Sequence, residues 1–400
     1  MKTKNFIPSI LILLFFSCSQ ITTDYNYNKP IPSTIKCEPN DIITLKLLDT
    51  LLTDLYNNEF DSIKFTKLEI TNKCIIGEHS NVHIHDNKII IADRKTNSIY
   101  VYGMEGNFLY SINKTGQGPE EYTALSSVIL SDSNIYITDF ISSKFLQYGL
   151  NGRCIKERIN TKYTGTYIFP FSDTLYAEAN CYLESPYELT FTDKYQNMLG
   201  CAKPHKTNLP FSAGSFVPKS NNEIYYCGKL NDTIFLVNEK SIKPYLCLGL
   251  YTKETLSDFY TKAFATKNQN EFMKYVNLKT PIPTSYSFLE SDLYWTFQFY
   301  DYKYTYISIV EKKTKKTRTY IQRDNKTGEL YNIIGPRGIY NNDWIMASLS
   351  VSDINSLSPK VLEKSIEHLP NENLKNEIRN LAKLDSDSNG IIMFFHIKKR

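Results

Sequence analysis

The residues best suited to metal chemistry are three histidines in the segment GEHSNVHIHDNK, at positions 79, 83 and 85. Alternation along a strand would place His83 and His85 on one face, and this spacing is compatible with a shared metal ion. No Cys, Asp or Glu follows at a usual ligand spacing, although Asp86 adjoins the pair. We therefore interpret the three as solvent-exposed histidines at a strand edge and predict no metal site.

A second motif that could bind a cation is Asp385-x-Asp387-x-Asn389-Gly390, which imitates the start of a calcium loop. The twelfth position of such a loop is His396, where an EF-hand requires a bidentate glutamate. Asp, Asn and Gly are also the residues that favour tight turns. A turn that leads into the last strand is therefore the preferred interpretation.

Signatures of catalysis are missing from the sequence, which has no GxSxG, HExxH or Walker pattern. A Ser/His/Asp triad is assembled in space, so a single sequence leaves one open. None of the six histidines lies in a recognisable catalytic context, however. We predict no catalytic residue and no cofactor.

A glycine-rich segment, Gly116-Gln117-Gly118-Pro119, could cradle an anion through successive backbone amides. It lacks the Lys-Ser/Thr of a P-loop, and no helical pattern follows it. We interpret it as a structural turn that Glu121 and Tyr122 brace.

An internal repeat indicates the elements that must position these residues. IIIADRKTNSIYVYGMEGNFL, from Ile89, aligns with IYITDFISSKFLQYGLNGRCI, from Ile135, at a constant offset of 46 residues. The register matches Asp93 with Asp139, Tyr102 with Tyr148, Gly103 with Gly149 and Gly106 with Gly152. Alternating strands separated by turn glycines are typical of an antiparallel meander.

Weaker copies of this repeat predict an all-β fold, a six-bladed β-propeller with two small helical insertions. The copies start at Leu175, Ile224, Leu293 and Asp343, and their spacing of roughly 40 to 70 residues is in the range of propeller blades with insertions. The propeller should occupy residues 41–400, with the strand in 65–76 completing the last blade. The helical insertions are predicted at about 254–276 and 358–384, on one rim of the disc.

The amino terminus predicts export. Lys2 and Lys4 precede an unbroken apolar run that is too short to span a bilayer, so residues 1–17 resemble a signal peptide. Ser17 followed by Cys18 resembles a lipobox, which implies lipidation of Cys18 and a membrane partner, with residues 18–40 as the anchor and tether. Phe16 departs from that pattern, because a smaller residue is more usual there.

Composition excludes some classes of partner and of cross-link. The formal charge of +4 falls by two when the signal peptide leaves, and KKTKK at 312–316 is the only dense basic cluster, so we expect no binding to nucleic acid or to anionic lipid. Seven cysteines remain besides Cys18, without a CxxC pair. We predict that most of them are buried thiols.

The segment INKTGQGPEEY resembles the Gly-x-Gly-Pro-x-Glu-Tyr signature of the six-bladed β-propeller lipoproteins of Gram-negative bacteria, which are similar to NHL-repeat propellers. The resemblance rests on the lipobox, the repeats and the motif residues Gly116, Gly118, Pro119, Glu121 and Tyr122. It implies an outer-membrane lipoprotein of the cell envelope, facing either the periplasm or the cell surface. The family is defined by fold, so no shared activity is implied.

Residues at the ends of the repeated strands are the predicted ligand-binding residues: Arg94, Phe140, Asn180 and Gln298 occupy one column of the aligned repeats. Strand-end residues gathered on one face of a propeller suggest a non-catalytic binding or scaffold protein for a glycan, a peptide or an envelope protein. The alternative is a lactonase-like or lyase-like propeller enzyme with a metal at the channel mouth. Asp93, Asp139, Asn180 and His83 would then supply its ligands.

Overall fold

The computed structural model describes residues 36–37, 42–131, 133–160, 166–180, 185, 187–204, 214–220, 222–228, 231–250, 258–259, 261, 285–326, 330–332, 335–383 and 388–399. These residues form six antiparallel sheets arranged as a six-bladed β-propeller, so the predicted fold class is confirmed. In the same residues no helix is long and apolar enough to span a membrane.

Blades 1 to 3 are four-stranded meanders, and they contain the strong repeat. Their strands are β5 (Asn81–His85), β6 (Lys88–Asp93), β7 (Ser98–Gly103) and β8 (Phe108–Ile112); β9 (Ser127–Leu130), β10 (Asn134–Asp139), β11 (Lys144–Gly149) and β12 (Cys154–Ile159); and β13 (Tyr167–Pro170), β14 (Tyr176–Ala179), β15 (Tyr187–Thr192) and β16 (Met198–Pro204).

Blades 4 to 6 follow the same order from the axis outward, and the last one takes its outer strand from the amino-terminal part of the chain. Their strands are β17 (Ser215–Ser220), β18 (Glu223–Cys227), β19 (Thr233–Asn238) and β20 (Ser241–Cys247); β21 (Ser285–Glu290), β22 (Tyr294–Tyr300), β23 (Tyr304–Glu311) and β24 (Thr317–Asp324); and β25 (Pro336–Tyr340), β26 (Trp344–Leu349), β27 (Ile391–Ile397) and β4 (Phe60–Lys67).

The second strand of each blade is buried on both faces, because a neighbouring blade covers each side. In β6, Ile89, Ile90, Ile91 and Ala92 are all fully buried, so this strand reads as a continuous apolar run instead of an alternating one. Burying isoleucine side chains of this kind contributes about 1.5–3 kcal/mol each before entropy is counted.

Ring closure depends on β4, which pairs antiparallel with β27 from Phe60–Ile397 to Lys67–Ile391. The predicted closing strand, 65–76, therefore overlaps the real one only at its start. Cys74 instead forms an isolated bridge with Thr71, within the connection to blade 1. Glu59 fixes the closure, since its buried carboxylate accepts a hydrogen bond from Arg318 Nε of blade 5 at 2.5 Å.

The chain before β4 runs along the outer edges of two blades. Strands β1 (Lys36–Cys37) and β2 (Ile43–Thr44) pair parallel with β20 of blade 4, and β3 (Leu51–Leu52) pairs parallel with β24 of blade 5. Helix α1 (Leu55–Glu59) then leads into β4, with Asp54 as its N-cap. Two outer edges that could pair with another chain are thereby partly covered.

The helical part of blade 6 lies between β26 and β27. It consists of α2 (Val351–Asn355), α3 (Pro359–Glu367) and α4 (Glu372–Leu381), with N-caps Ser350, Ser358 and Asn371. The predicted insertion at 358–384 coincides with α3 and α4, and α2 lies ahead of it. Most of the insertion predicted at 254–276 lies outside the described residues.

We name the two ends of the disc by their connections. The loop face is the end where the innermost strands begin, and it carries the connections between blades, the turns after Asp93 and Asp139, and the entry to α2. The turn face is the end where the innermost strands finish, and it carries short hairpin turns such as 86–87 and 312–316. The chain between β20 and β21, which contains 254–276, also joins the disc at the loop face.

Candidate functional site

An axial cavity of about 1040 Å³ runs through the described part of the disc, and every one of the six innermost strands helps to line it. These strands, β5, β9, β13, β17, β21 and β25, contact one another around the axis. Each is the free edge of its sheet, so backbone N–H and C=O groups that do not pair within the blade point toward the cavity. A ligand there would meet a ring of backbone donors and acceptors from six blades.

Side chains add both apolar and basic character to this wall. Half-buried Tyr167 supplies aromatic surface beside the largely buried rings of Phe216 and Phe288, while Lys219 and Arg337 supply positive charge. Arg337 is exposed on β25 and forms no hydrogen bond or ion pair with the residues that the structure describes. Aromatic faces with a few cationic donors suit sugars, peptides and acidic groups.

Glu290 ends β21 at the turn-face mouth of the cavity and joins blades 4 and 5. Its carboxylate accepts hydrogen bonds from Tyr245 Oη at 2.6 Å, Trp295 Nε1 at 2.9 Å and Tyr225 Oη, and it pairs with Lys312 Nζ at 2.5 Å. Burial alone would raise the pKa of Glu290, but the bonds from Lys312 and the aromatic donors outweigh it and lower this pKa. The carboxylate is therefore a saturated anion that stiffens the mouth.

The four residues that the sequence predicts to bind a ligand do not line this cavity. Arg94 and Phe140 are exposed on the loop face, one residue beyond β6 and β10. Asn180 is fully buried beyond β14, where its amide donates to Thr190 Oγ1 at 3.0 Å. Gln298 lies within β22 and donates to Gln322 Oε1 at 2.7 Å.

The alignment of repeats followed the second strand of each blade, and the prediction took that strand for the innermost one. The innermost strands are shorter and less regular in sequence, because they are covered only partly. A usable signal was present nevertheless: Asp86 and Asn87, at φ 48° and 52°, form the tight hairpin turn between VHIH and KIII. That turn identifies β5 as the strand before the repeat, and with it His83 as a residue of the wall.

Asp93 and Asp139 perform the same structural task in blades 1 and 2. Asp139 Oδ2 accepts from Thr123 N at 2.6 Å and from Ser142 Oγ, while Oδ1 accepts from Ile141 N at 2.9 Å and Ser142 N at 3.3 Å. Asp93 binds Gly77 N and the following turn in the same way. Both carboxylates are fully buried and occupied within their own blades, so they do not converge on a shared cation.

The glycine-rich segment forms a turn between blades 1 and 2 on the loop face. Glu121 Oε2 accepts from Gly118 N at 2.8 Å, and a Cβ added at Gly116 would overlap that carboxylate. Lys144 Nζ donates to Gly118 O at 2.6 Å. Tyr122 is fully buried, which raises its pKa to about 12, and its hydroxyl donates to Asn97 O at 3.0 Å. These contacts occupy the turn internally; Pro119 is exposed within it.

The histidines divide between core and cavity. His79 is buried, so the expectation that it is solvent-exposed is wrong; its Nε2 bonds to Asn389 O at 2.8 Å, and burial lowers its pKa. Asn389 itself donates to Glu69 O and Cys74 O, which fixes the connection that enters blade 1. Asp385 and Asp387 of the calcium-like motif lie outside the described residues.

A buried polar network between blades 2 and 3 has no counterpart in the sequence prediction. Arg158 Nη2 pairs with Glu178 Oε1 at 2.8 Å, and the side chains are 4% and 0% exposed. Thr192 Oγ1 donates to the same oxygen at 2.6 Å, and the guanidinium lies 4.5 Å from the Tyr176 ring centroid. These residues meet only because β12, the outer strand of blade 2, packs against blade 3 in the folded disc.

The prediction that most cysteines are buried thiols is confirmed for three of the five cysteines whose side chains the structure describes. Cys74, Cys201 and Cys227 are buried, Cys154 and Cys247 are half-buried, and none of these five described cysteines forms a disulfide. Cys18 lies outside the described residues.

Comparison with known proteins places this chain in a family. A family described as "Domain of unknown function (DUF4934)" matches residues 45–396, which is nearly the whole folded body. The chain belongs to the DUF4934 family. None of the curated proteins matches the sequence significantly.

Solved structures support the fold of this DUF4934 protein. A "Putative exported protein" of Bacteroides fragilis superposes with a TM-score of 0.67 at 17% identity, covering 90% of this chain and 100% of the other. A member of the duf4221 family from Bacteroides vulgatus gives a TM-score of 0.48 at 10% identity, covering 85% and 97%. The likeness to the Bacteroides fragilis protein, at 17% identity, establishes a shared fold, and it leaves the ligand to be argued from the cavity.

Proposed function

We propose that this DUF4934 protein is a non-catalytic binding protein of the cell envelope that takes a glycan, peptide or protein partner at the loop-face mouth of its axial cavity. The observation that carries the proposal is the cavity itself, about 1040 Å³ and lined by all six blades. Its size is near the upper end of the range for small-molecule and peptide sites.

The state of the acidic side chains favours binding over hydrolysis or metal-assisted elimination. General acid-base chemistry needs a carboxyl group that is free to exchange a proton with substrate. Asp93 and Asp139 are instead committed to backbone amides, and Glu290 is committed to Lys312 and three aromatic donors. The exposed Arg337 remains available for a carboxylate or hydroxyl of a ligand.

Envelope attachment is the second part of the proposal. A signal-like segment ends at Ser17, and Cys18 follows it as the residue to be lipidated. The superposition on a "Putative exported protein" agrees with export. Lipidation is tested by palmitate labelling of cells that produce the wild type or Cys18→Ala, which should abolish the label, and fractionation of the labelled cells tests outer-membrane anchoring.

The binding proposal is tested by blocking the cavity. Ser287 is an exposed residue of β21 in the wall, so Ser287→Trp should fill part of the channel. Ser62→Trp, on the exposed outermost strand β4 of blade 6 and away from the cavity wall, is the matched control. Glycan and peptide arrays would identify a ligand, and calorimetry would then compare the three proteins.

We expect Ser287→Trp to weaken binding at least tenfold, with an unchanged melting temperature, and Ser62→Trp to bind like the wild type. The axial site would be refuted if no glycan or peptide on the arrays bound specifically, or if Ser287→Trp and the wild type bound a ligand with equal affinity.

A further inference from the structure

The turn face carries a basic surface in which the fold adds residues distant in sequence to the KKTKK cluster. The expectation of no anionic-lipid binding rested on a single basic cluster, and this surface revises it. Its centre is the turn 312–316 between β23 and β24 of blade 5, with Lys312, Lys313, Lys315 and Lys316. The last three are exposed, whereas Lys312 is drawn inward by Glu290. Four lysines in five residues on one hairpin produce a concentrated positive field.

This turn is held rigidly in place. Glu311 N donates to Lys316 O at 3.1 Å, and Lys315 N donates to Glu311 O at 2.9 Å. The ammonium of Lys315 lies 4.4 Å from the ring centroid of buried Trp295. Glu311, the acidic residue of the turn, already accepts from Thr314 Oγ1 at 2.6 Å. The lysines are therefore preorganised for an anionic surface.

Blade 6 extends the basic surface through the end of the chain. Glu59 joins the two parts, because it receives Arg318 Nε from blade 5 while its carbonyl accepts from Lys398 N at 2.8 Å. Lys399 follows with 76% of its side chain exposed. Asp343 lies 3.8 Å from Lys399, and exposed Asp292 adjoins the turn of blade 5, so the surface is basic but not uniformly so.

The amino-terminal chain leaves the disc at the same end. Lys36 pairs with Ser241, the first residue of β20, directly after the turn-face hairpin of blade 4. The chain from Cys18 to Lys36 can span at most about 60 Å. The tether origin on blade 4, the lysine turn on blade 5 and Lys398-Lys399 on blade 6 thus occupy three consecutive blades at one end.

We infer that the turn face is the membrane-facing side of this protein and that the lysines of 312–316, with Lys399, contact phosphate-bearing lipid headgroups. This inference rests on the lipid anchor proposed above. Each lysine near an anionic bilayer contributes about a fivefold preference, and the attraction acts within a Debye length of the surface. An anchor that starts beside the basic surface keeps the lysines within reach, and it leaves the loop face, with the loop-face mouth of the cavity, turned away from the bilayer.

The test uses the full lipidated chain reconstituted into vesicles of phosphatidylcholine alone or of phosphatidylcholine mixed with phosphatidylglycerol. Acylation of lysines by an N-hydroxysuccinimide ester, read by peptide mass spectrometry, reports which face is covered. Lys313, Lys315 and Lys316 should lose several-fold in reactivity on the anionic vesicles, and high salt should restore it. Lys114 and Lys360, exposed on the loop face, should be unchanged.

In the charge-reversal variant K313E/K315E/K316E, Lys399 should no longer be protected from acylation on anionic vesicles. In K95E/K114E/K360E, which makes the same change of net charge on the loop face, Lys399 should keep that protection. Equal reactivity on both kinds of vesicle, or protection of the loop face, would overturn the inference while leaving the anchor intact. Failure of the chain to float with either vesicle would overturn the anchor and the inference together. Ligand binding in the axial cavity is measured separately and is unaffected by any of these results.

Discussion

Glu290→Gln is the substitution that tests most directly how the cavity mouth is held together. The change keeps the shape of the side chain and one oxygen acceptor, but it removes the charge. It also replaces one acceptor with an amide that can only donate, facing hydroxyl and indole donors. Tyr225, Tyr245 and Trp295 would have to reorganise around it.

The size of the effect follows from the contacts. A hydrogen bond to a charged acceptor contributes about 1.5–3 kcal/mol, against about 0.5–1.5 kcal/mol for a neutral one, so several such bonds lose about 1 kcal/mol each. Lys312 would lose its partner but is 22% exposed, so water partly compensates its charge. We expect a loss of about 2–4 kcal/mol in the free energy of unfolding, somewhat below the cost of breaking a fully buried ion pair.

The dependence on pH distinguishes a charged acceptor from mere packing. The pKa of Glu290 in the folded protein is below its ordinary value of 4.5, so the carboxylate stabilises the fold fully above that value. This contribution disappears as the pH falls through the lower pKa of the folded state. Glu290 is then protonated in both the folded and the unfolded protein. The difference between wild type and Glu290→Gln should therefore be constant from pH 7 to about pH 5 and shrink below pH 4.5.

Urea unfolding, followed by the fluorescence of Trp295 and Trp344, measures this difference at each pH. Glu223→Gln is the control, since Glu223 forms a half-exposed pair with Lys219 at 3.2 Å and should cost less than about 1 kcal/mol. A Glu290→Gln cost as small as that of the control, or one that does not change with pH, would refute the reasoning.

Three further predictions concern the joints between blades. Asp139→Asn removes the anionic acceptor of a repeated turn and should lower the free energy of unfolding by about 2 kcal/mol, measured by urea titration. Arg158→Met leaves Glu178 buried without its partner and should cost about 3–5 kcal/mol, whereas R158M/E178L should recover much of that in a double-mutant cycle. Gly116→Ala displaces Glu121 from its backbone partner and should lower the melting temperature by an amount corresponding to about 1–2 kcal/mol.

The fold was predictable because the strongest sequence signals belong to its most constrained parts. Asp93 and Asp139 recur because each blade needs an acceptor for the amides of the same turn. Gly106 and Gly152, at φ 85° and 79°, recur because the turn between the third and fourth strands takes a backbone conformation that glycine adopts without strain. The other four blades carry only weaker copies, so the count of six rested on the spacing of their strand starts.

The residues of the cavity were not predictable from the same repeat. An innermost strand packs on its flanks but leaves one edge open, so its sequence is not held to a regular pattern. Arg337 and Lys219 therefore carry no periodic signal, and contact between them and the other blades depends on ring closure. The same holds for Arg158 and Glu178, which lie on different blades and meet only in the assembled disc.

The two faces differ because of the way in which a propeller connects its strands. Hairpin turns are short because antiparallel neighbours need few residues, whereas connections between blades must travel from the outer edge back to the axis and can lengthen without disturbing a sheet. The helical insertion α2 to α4 also lies on the loop face, although it joins the second and third strands of blade 6 instead of two blades. A tether that begins on the turn face leaves that variable face unobstructed, and the lysine turn at 312–316 supplies a reason for the orientation to persist.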